Sequence, residues 1–212
     1  MIRLYDYRFS SAAYRVRIAL NIKGASYEAV SINIAPGADE QLSEAYRLVN
    51  PQMRVPAIEV DGKLGVQSMA ILEWIDETLP GPALLPSDPW TRLRVRAFAD
   101  TIACDIHPLN NLSPRAYLRN QLGRSEEEMR RWYAHWITVG FTALEAEAND
   151  LPRQDFLFGA VPTIAEIALV PQMANARRFN VNVSSFPRLL EIDAACRALE
   201  PFRRAAPEHQ SE

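Results

Sequence analysis

The sequence is poor in the residues that metal sites and redox centres need. Its 212 residues include two cysteines, Cys104 and Cys196, which lie far apart and form no Cys-x-x-Cys pair. The three histidines are scattered, without the spacing of metal ligands. We therefore expect two free thiols, no metal ion, and no redox or zinc chemistry.

Long apolar runs and an excess of positive charge are also missing. No stretch approaches the roughly 20 apolar residues that cross a bilayer, and Asp6 stands where a signal peptide would have its apolar core. The net charge is −3, whereas nucleic-acid-binding surfaces need a concentrated excess of Lys and Arg. We therefore expect a cytoplasmic protein that binds neither membranes nor nucleic acid.

The first eighty residues alternate short strands and helices. The predicted elements are strand 2–7, helix 11–23, strand 30–34, helix 40–48, a hairpin over 56–67 and helix 68–79. Two strands that flank one helix predict parallel pairing, and Asp61-Gly62 predicts the hairpin turn. Ser68 is the predicted N-cap of the last helix. This order predicts an α/β thioredoxin-like domain over residues 1–80.

Four prolines between residues 80 and 89 mark the clearest break in the chain, because proline cannot continue a helix. We place a linker at 81–89 and an all-α domain at 90–212. Ser125 with Glu128 and Thr163 with Glu166 predict capping boxes at two helix starts. After the first box, an apolar stripe at helical spacing places Trp132 and Trp136 in the core.

Five segments carry a family resemblance. They are Ser10-Ser-Ala-Ala-Tyr-Arg-Val-Arg-Ile-Ala-Leu20, Asn50-Pro-Gln-Met-Arg-Val-Pro56, Gln67-Ser68, Asp105-Ile-His-Pro-Leu-Asn-Asn111 and Val170-Pro-Gln-Met-Ala-Asn-Ala-Arg-Arg-Phe179. Together with the domain order, they resemble the zeta class of cytosolic glutathione transferases over nearly the whole chain. The resemblance departs at Ala12, where the class has a cysteine. The chemistry does not depend on that cysteine, because the reacting thiol belongs to glutathione.

The resemblance implies a homodimeric enzyme with glutathione as its cofactor. The implied reaction is cis–trans isomerisation of a small acidic enedione, by addition of the glutathione thiolate and its later elimination. Maleylacetoacetate, from tyrosine and phenylalanine breakdown, is the first substrate candidate, and maleylpyruvate competes with it. General conjugation or α-halo acid dehalogenation is a second enzymatic hypothesis. A non-catalytic module that binds partner proteins is a third.

Two serines before the first helix are the catalytic candidates. A hydroxyl and a helix N-terminus can both stabilise a thiolate, although serine at this place is usually an N-cap. The resemblance assigns the thiolate to Ser10 and leaves the capping role to Ser11.

The resemblance also assigns the other glutathione contacts. Val55 precedes Pro56, whose counterpart in the superfamily forms a cis peptide bond; without the resemblance, Pro56 would be a strand-start proline. Gln67 and Ser68 suit the γ-glutamyl carboxylate at a helix N-terminus, or are caps. Gln52 is a further candidate contact.

The acidic substrate needs cations, and arginine binds a carboxylate through two parallel hydrogen bonds. Arg8 lies two residues before Ser10, and its alternative is a surface position. Arg178 matches a family arginine tied to carboxylate binding, and its alternative is to complement the helix dipole. His107 and Asn111 are candidates at the substrate mouth, although a lone histidine is often a packed or surface residue.

Overall fold

The computed structural model describes residues 1–210, which divide into two compact units. The first contains Met1–Leu84 together with 199–210, and the second contains Leu85–Ala198. The division falls inside the predicted linker, but the predicted all-α domain 90–212 extends too far. Its segment 199–210 belongs to the first unit, and residues 211–212 lie outside the described residues.

The first unit contains a four-stranded mixed sheet. Its strands are β1 (Ile2–Asp6), β2 (Tyr27–Ser31), β3 (Ala57–Val60) and β4 (Lys63–Val66), in the order β2-β1-β3-β4. The predicted parallel pairing of β1 with β2 and the β3–β4 hairpin are both confirmed. The prediction of a strand over 30–34 was wrong by three residues. Beyond β2, the Ile32 amide still donates to the Asp6 carbonyl at 2.7 Å, and the Asn33 amide donates to the Glu40 carboxylate at 2.7 Å.

Four α-helices accompany the sheet within the described part of this unit. They are α1 (Ser11–Ile22), α2 (Glu44–Val49), α3 (Ser68–Thr78) and, near the end of the chain, α10 (Glu200–Ala205). The predicted helix 40–48 is interrupted at Ser43. A 3-10 turn precedes Ser43, whose hydroxyl caps α2 by accepting a hydrogen bond from the Tyr46 amide at 3.2 Å.

Side chains of α1 bind α10 and so attach the C-terminal segment to the first unit. Tyr14 donates to the Phe202 carbonyl at 3.3 Å, and Asn21 donates to the Pro201 carbonyl at 3.0 Å. Arg17 donates to the Ala205 carbonyl at 2.9 Å. Because α10 is short, it forms few intrahelical hydrogen bonds, and side-chain donors of α1 bind its carbonyls. The sequence order did not predict this packing.

The second unit is all-helical among its described residues. Its helices are α4 (Pro89–Asp100), α5 (His107–Asn110), α6 (Leu112–Asn120), α7 (Glu126–Asp150), α8 (Ile164–Arg178) and α9 (Pro187–Ala198). A π-helical turn, Thr101–Ile106, joins α4 to α5. Gly140 lets α7 approach this turn, because an added Cβ would lie 2.3 Å from Ile106.

Both predicted capping boxes are confirmed, at the N-termini of α7 and α8. The predicted apolar stripe on α7 needs a correction. Trp132 and Trp136 are half-buried, while Tyr133, Ile137 and Phe141 are buried. The indole N–H of Trp132 donates to the Leu109 carbonyl at 2.9 Å, which explains why that ring lies at the margin of the core.

Candidate functional site

Three segments of the first unit meet at one edge of the sheet. The register pairs Tyr5 of β1 with Ala57 of β3, and Ala57 with Val66 of β4. The end of β1, the start of β3 and the end of β4 therefore lie side by side. The residues that follow or precede these points are Arg8–Ser10, Val55–Pro56 and Gln67–Ser68. The structure thus brings together the candidates that the sequence spread over sixty residues.

Ser10 is the N-cap of α1, and Ser11 is its first residue. The Ser10 Oγ accepts a hydrogen bond from the Ala13 amide at 3.2 Å. The prediction that Ser11 is the cap was therefore wrong, because its backbone is already helical and its side chain is buried. A serine hydroxyl that accepts one bond still has its proton to donate. Capping and thiolate binding are thus compatible at Ser10.

The Val55–Pro56 peptide bond is cis, as the resemblance implied. Both residues are buried immediately before β3. Nearby, the Gln67 side-chain amide donates to the Gln52 carbonyl oxygen at 2.8 Å. Both glutamines are exposed, so this pair presents amide groups to solvent beside the sheet edge.

The start of α3 differs from the predicted cap. Gln67 occupies the N-cap position with φ of 72°, and Ser68 is the first helical residue. The buried Ser68 hydroxyl accepts a hydrogen bond from Arg15 at 3.2 Å, so it does not cap the helix. Arg15, which the sequence analysis missed, places a buried positive charge next to the α3 N-terminus.

The N-termini of α1 and α3 suit anions. Neither helix has an acidic residue in its first turn, so the partial positive charge of each N-terminus is not neutralised there. Arg8 adds a cation beside Ser10, with its guanidinium carbon 4.6 Å from the centroid of the Phe9 ring. Two anionic groups of one ligand could therefore be bound at this sheet edge.

Arg17 hydrogen-bonds to the turn between β1 and α1, a role that the sequence analysis missed. Its fully buried guanidinium donates to the Asp6 carboxylate at 2.6 Å and to the Arg8 carbonyl at 3.1 Å. Arg17 thereby holds the backbone of the turn that carries Ser10. A signal was available, because two arginines in the apolar stretch of α1 need buried partners.

In the second unit, His107 is the half-buried first residue of α5, directly after the π-helical turn. Asn111 is the N-cap of α6, and its side-chain oxygen accepts from the Leu112 amide at 2.7 Å. The adjacent Asn110 donates to the Tyr133 carbonyl at 3.2 Å. These bonds place the candidates on a segment that contacts α7.

Arg178 lies in the last turn of α8 and is exposed. Its guanidinium carbon is 5.6 Å from the centroid of the Phe179 ring. Its position also complements the helix dipole, so the alternative interpretation holds as well. Neighbouring Arg177 instead forms an ion pair with the buried carboxylate of Asp193.

Arg115 of α6, which the sequence analysis missed, contacts the rings of Phe179 and Tyr133. Its guanidinium carbon is 4.8 Å from the Phe179 ring centroid and 5.6 Å from that of Tyr133. Burial lowers the pKa of Arg115, and the nearby Arg119 and Arg178 lower it further. Burial raises the pKa of Tyr133, which is therefore a neutral phenol at physiological pH.

Two features are absent from residues 1–210. No helix there is long and apolar enough to cross a membrane. No group of three or more His, Cys, Asp or Glu side chains there is arranged to hold a metal ion. Cys196 is buried, and burial raises the pKa of its thiol, while Cys104 is exposed; neither forms a disulfide.

Comparison with known proteins gives full-length relatives. The glutathione S-transferase N-terminal domain family matches residues 1–77. The chain is 44% identical to a maleylpyruvate isomerase from Ralstonia sp, over 99% of this chain and 98% of the relative. It is 43% identical to a maleylacetoacetate isomerase from Pseudomonas aeruginosa, over 99% of this chain and 97% of the relative.

Solved structures agree with these relatives. A holo structure of a maleylpyruvate isomerase, described as a bacterial zeta-class glutathione transferase, has a TM-score of 0.96 at 43% identity and covers 99% of both chains. A maleylacetoacetate isomerase from Methylobacterium extorquens AM1, with bound malonate and glutathione, has a TM-score of 0.94 at 33% identity over 99% and 98% of the two chains. The chain belongs to the zeta class of the glutathione transferase family.

Proposed function

We propose that the chain is a glutathione-dependent isomerase that converts the cis double bond of maleylacetoacetate to trans. The observation that carries the proposal is that two helix N-termini without acidic residues, one capped by Ser10, follow strands at the same end of the sheet. The Pseudomonas relative is named for this reaction. The Methylobacterium neighbour binds glutathione together with malonate, a small dicarboxylate.

Glutathione fits the groups at this edge. Its γ-glutamyl carboxylate would bind at the N-terminus of α3, near Ser68 and Gln67. The backbone of Val55, before Pro56, would pair with the cysteinyl part, and Gln52 would add a contact. Its sulfur would then lie toward the N-terminus of α1. The chain's first 80 residues form the glutathione-binding part in this proposal, and the helical residues after the linker bind the substrate.

The thiolate needs stabilisation, because a free thiol with a pKa of roughly 8.5 is mostly protonated at neutral pH. When bound, glutathione supplies the thiolate that adds to the double bond and leaves after the new single bond has rotated. Ser10 donates a hydrogen bond to this sulfur, and the α1 N-terminus adds positive charge. Buried Ser11 is the second hydroxyl at this place and supports the same role.

The second unit supplies the groups for the acidic substrate. Arg178 binds a substrate carboxylate through its planar guanidinium, and His107 and Asn111 contribute polar contacts. Within the first unit, Arg8 adds positive charge beside Ser10, where the thiolate is held in this proposal. The protein acts as a homodimer in the cytoplasm, as members of this family typically do.

Maleylpyruvate remains the alternative substrate. The Ralstonia relative named for it is as similar as the Pseudomonas one, at 44% against 43% identity. Both substrates carry carboxylates and a cis-enedione, so the same residues serve either. Conjugation or dehalogenation would use the same thiolate but would consume glutathione.

The test is isomerisation of maleylacetone, a stable analogue of maleylacetoacetate, with and without glutathione, beside maleylpyruvate. We expect turnover that requires glutathione without consuming it, and the two rates identify the preferred substrate. Consumption of glutathione in proportion to product would replace the isomerase with a conjugating transferase. Failure to bind glutathione would leave a non-catalytic module.

A further inference from the structure

Arg115 is held in place by aromatic rings. It lies in α6, half-buried, with its guanidinium carbon 4.8 Å and 5.6 Å from the ring centroids of Phe179 and Tyr133. The two rings are in contact, with centroids 4.1 Å apart and planes tilted by 37°. Aromatic faces attract a cation through their quadrupoles but carry no net charge. The ring pair therefore positions Arg115 without neutralising it.

The ionic groups near Arg115 do not neutralise it either. Glu126 attracts it, but the Glu126 carboxylate lies 2.6 Å from Arg119 and forms an ion pair there. Arg119 and Arg178 repel it. Within residues 1–210, Arg115 forms no ion pair, and its buried Nε has no hydrogen-bond partner. A half-buried charge without a counter-ion is costly unless a ligand supplies one.

Arg178 approaches the same Phe179 ring from the end of α8, at 5.6 Å. Two like charges beside one ring repel each other, and an anion bound to both would reverse that repulsion. A carboxylate matches the planar donor forks of two guanidinium groups. We propose that Arg115 is a second arginine of the carboxylate site assigned to Arg178, so that the two form one anion subsite for the substrate. The proposal rests on the proposed function for the identity of that substrate.

Arg115→Met is the variant that tests the subsite, because it keeps an unbranched side chain against the rings and removes the charge. Arg119→Met is its matched control, since Arg119 lies one turn along the same helix in an exposed ion pair. We expect Arg115→Met to raise the KM for maleylacetone about tenfold, as loss of a charge-assisted contact does. The KM for glutathione and the melting temperature stay close to those of Arg119→Met. Arg115→Lys, with charge but no fork, gives an intermediate KM.

Malonate binding supplies a readout that needs no turnover. Calorimetry at constant ionic strength compares the wild type, Arg115→Met and Arg119→Met. We expect the wild type and Arg119→Met to bind malonate alike, and Arg115→Met to bind it about tenfold more weakly. Malonate binding that is absent from the wild type, or unchanged in Arg115→Met, overturns the subsite.

The two assays separate the subsite from the isomerase. If maleylacetone is not isomerised but malonate binding depends on Arg115, the subsite stands and the proposed function fails. If maleylacetone is isomerised with the same KM in Arg115→Met and Arg119→Met, the subsite fails and the proposed function stands.

Discussion

Arg17 in the first unit and Arg115 in the second are both withdrawn from solvent, but the protein surrounds them differently. Arg17 donates to a carboxylate and to two backbone carbonyls, so its charge and its donors are satisfied internally. Arg115 contacts two aromatic rings and forms no ion pair within the described residues. The comparison distinguishes an arginine that holds the fold from one that is placed for a ligand. The two roles differ in whether the protein itself provides a counter-ion and hydrogen-bond acceptors for the guanidinium, and not in burial alone.

The largest expected effect is on stability, at Arg17. Arg17→Met leaves the Asp6 carboxylate buried without its counter-ion and should lower the free energy of unfolding by about 3–5 kcal/mol. Urea denaturation measures the loss. Arg17→Lys keeps the charge and should lose less. A loss below about 1 kcal/mol, the usual range for exposed pairs, would show that Arg17 is not a structural anchor.

Ser10→Ala should affect activity far more than stability. Removing one hydrogen-bond donor to a developing anion lowers kcat by about 100-fold or more, whereas loss of an N-cap lowers stability by about 1 kcal/mol. Steady-state rates with maleylacetone and thermal melting measure the two effects. Ser43→Ala, which removes the cap of α2 and its hydrogen bond of the same length, is the control with a similar loss of stability and near-normal kcat. Near-normal turnover in Ser10→Ala would mean that another group holds the thiolate.

Arg178→Ala should raise the KM for the acidic substrate about tenfold, because a charge-assisted contact contributes about 1.5–3 kcal/mol. The adjacent Arg177→Ala is the control. Arg177 pairs with buried Asp193, so its loss should lower the melting temperature and leave the KM unchanged. If both variants leave the KM unchanged, Arg178 only complements the helix dipole.

The smallest expected effect is at Gln52. Gln52→Ala removes the amide that holds Gln67 at 2.8 Å, and a neutral hydrogen bond contributes about 1 kcal/mol. We expect the KM for glutathione to rise a few-fold, with the KM for maleylacetone unchanged. Equal KM values for glutathione in Gln52→Ala and the wild type would remove Gln52 from the site.

Local patterns predicted most of the first unit and the starts of two helices in the second. The order of strands and helices, the β3–β4 turn and the two capping boxes depend on residues close in sequence, and all of these predictions were confirmed. Errors arose where a distant group competes. β2 covers Tyr27–Ser31, and the Asn33 amide beyond it donates to the Glu40 carboxylate. Ser68 is already helical, and its hydroxyl accepts a hydrogen bond from Arg15.

The candidate site was predicted unevenly for the same reason. Residues inside the family motifs, such as Ser10, Pro56 and Gln67, were found before the structure, and their roles stay predictions. Arg115 lies outside the motif residues that carried the resemblance, in a stretch with no pattern of its own. Its candidate role depends on the rings that it contacts and on the acidic residues that do not pair with it. The amino-acid sequence shows neither.

The amino-acid order alone was enough to indicate a thioredoxin-like domain followed by helices, glutathione chemistry and a serine at the first helix. The domain order rests on short-range periodicity, capping and turn chemistry, whereas glutathione and the role of Ser10 are what the family resemblance implies. Folding was needed to attach 199–210 to the first unit, to bury Arg17 against Asp6 and to bring Arg115 and Arg178 to one ring. Such contacts join residues 11 to 188 positions apart, and the energies that select them come from burial and charge pairing in three dimensions.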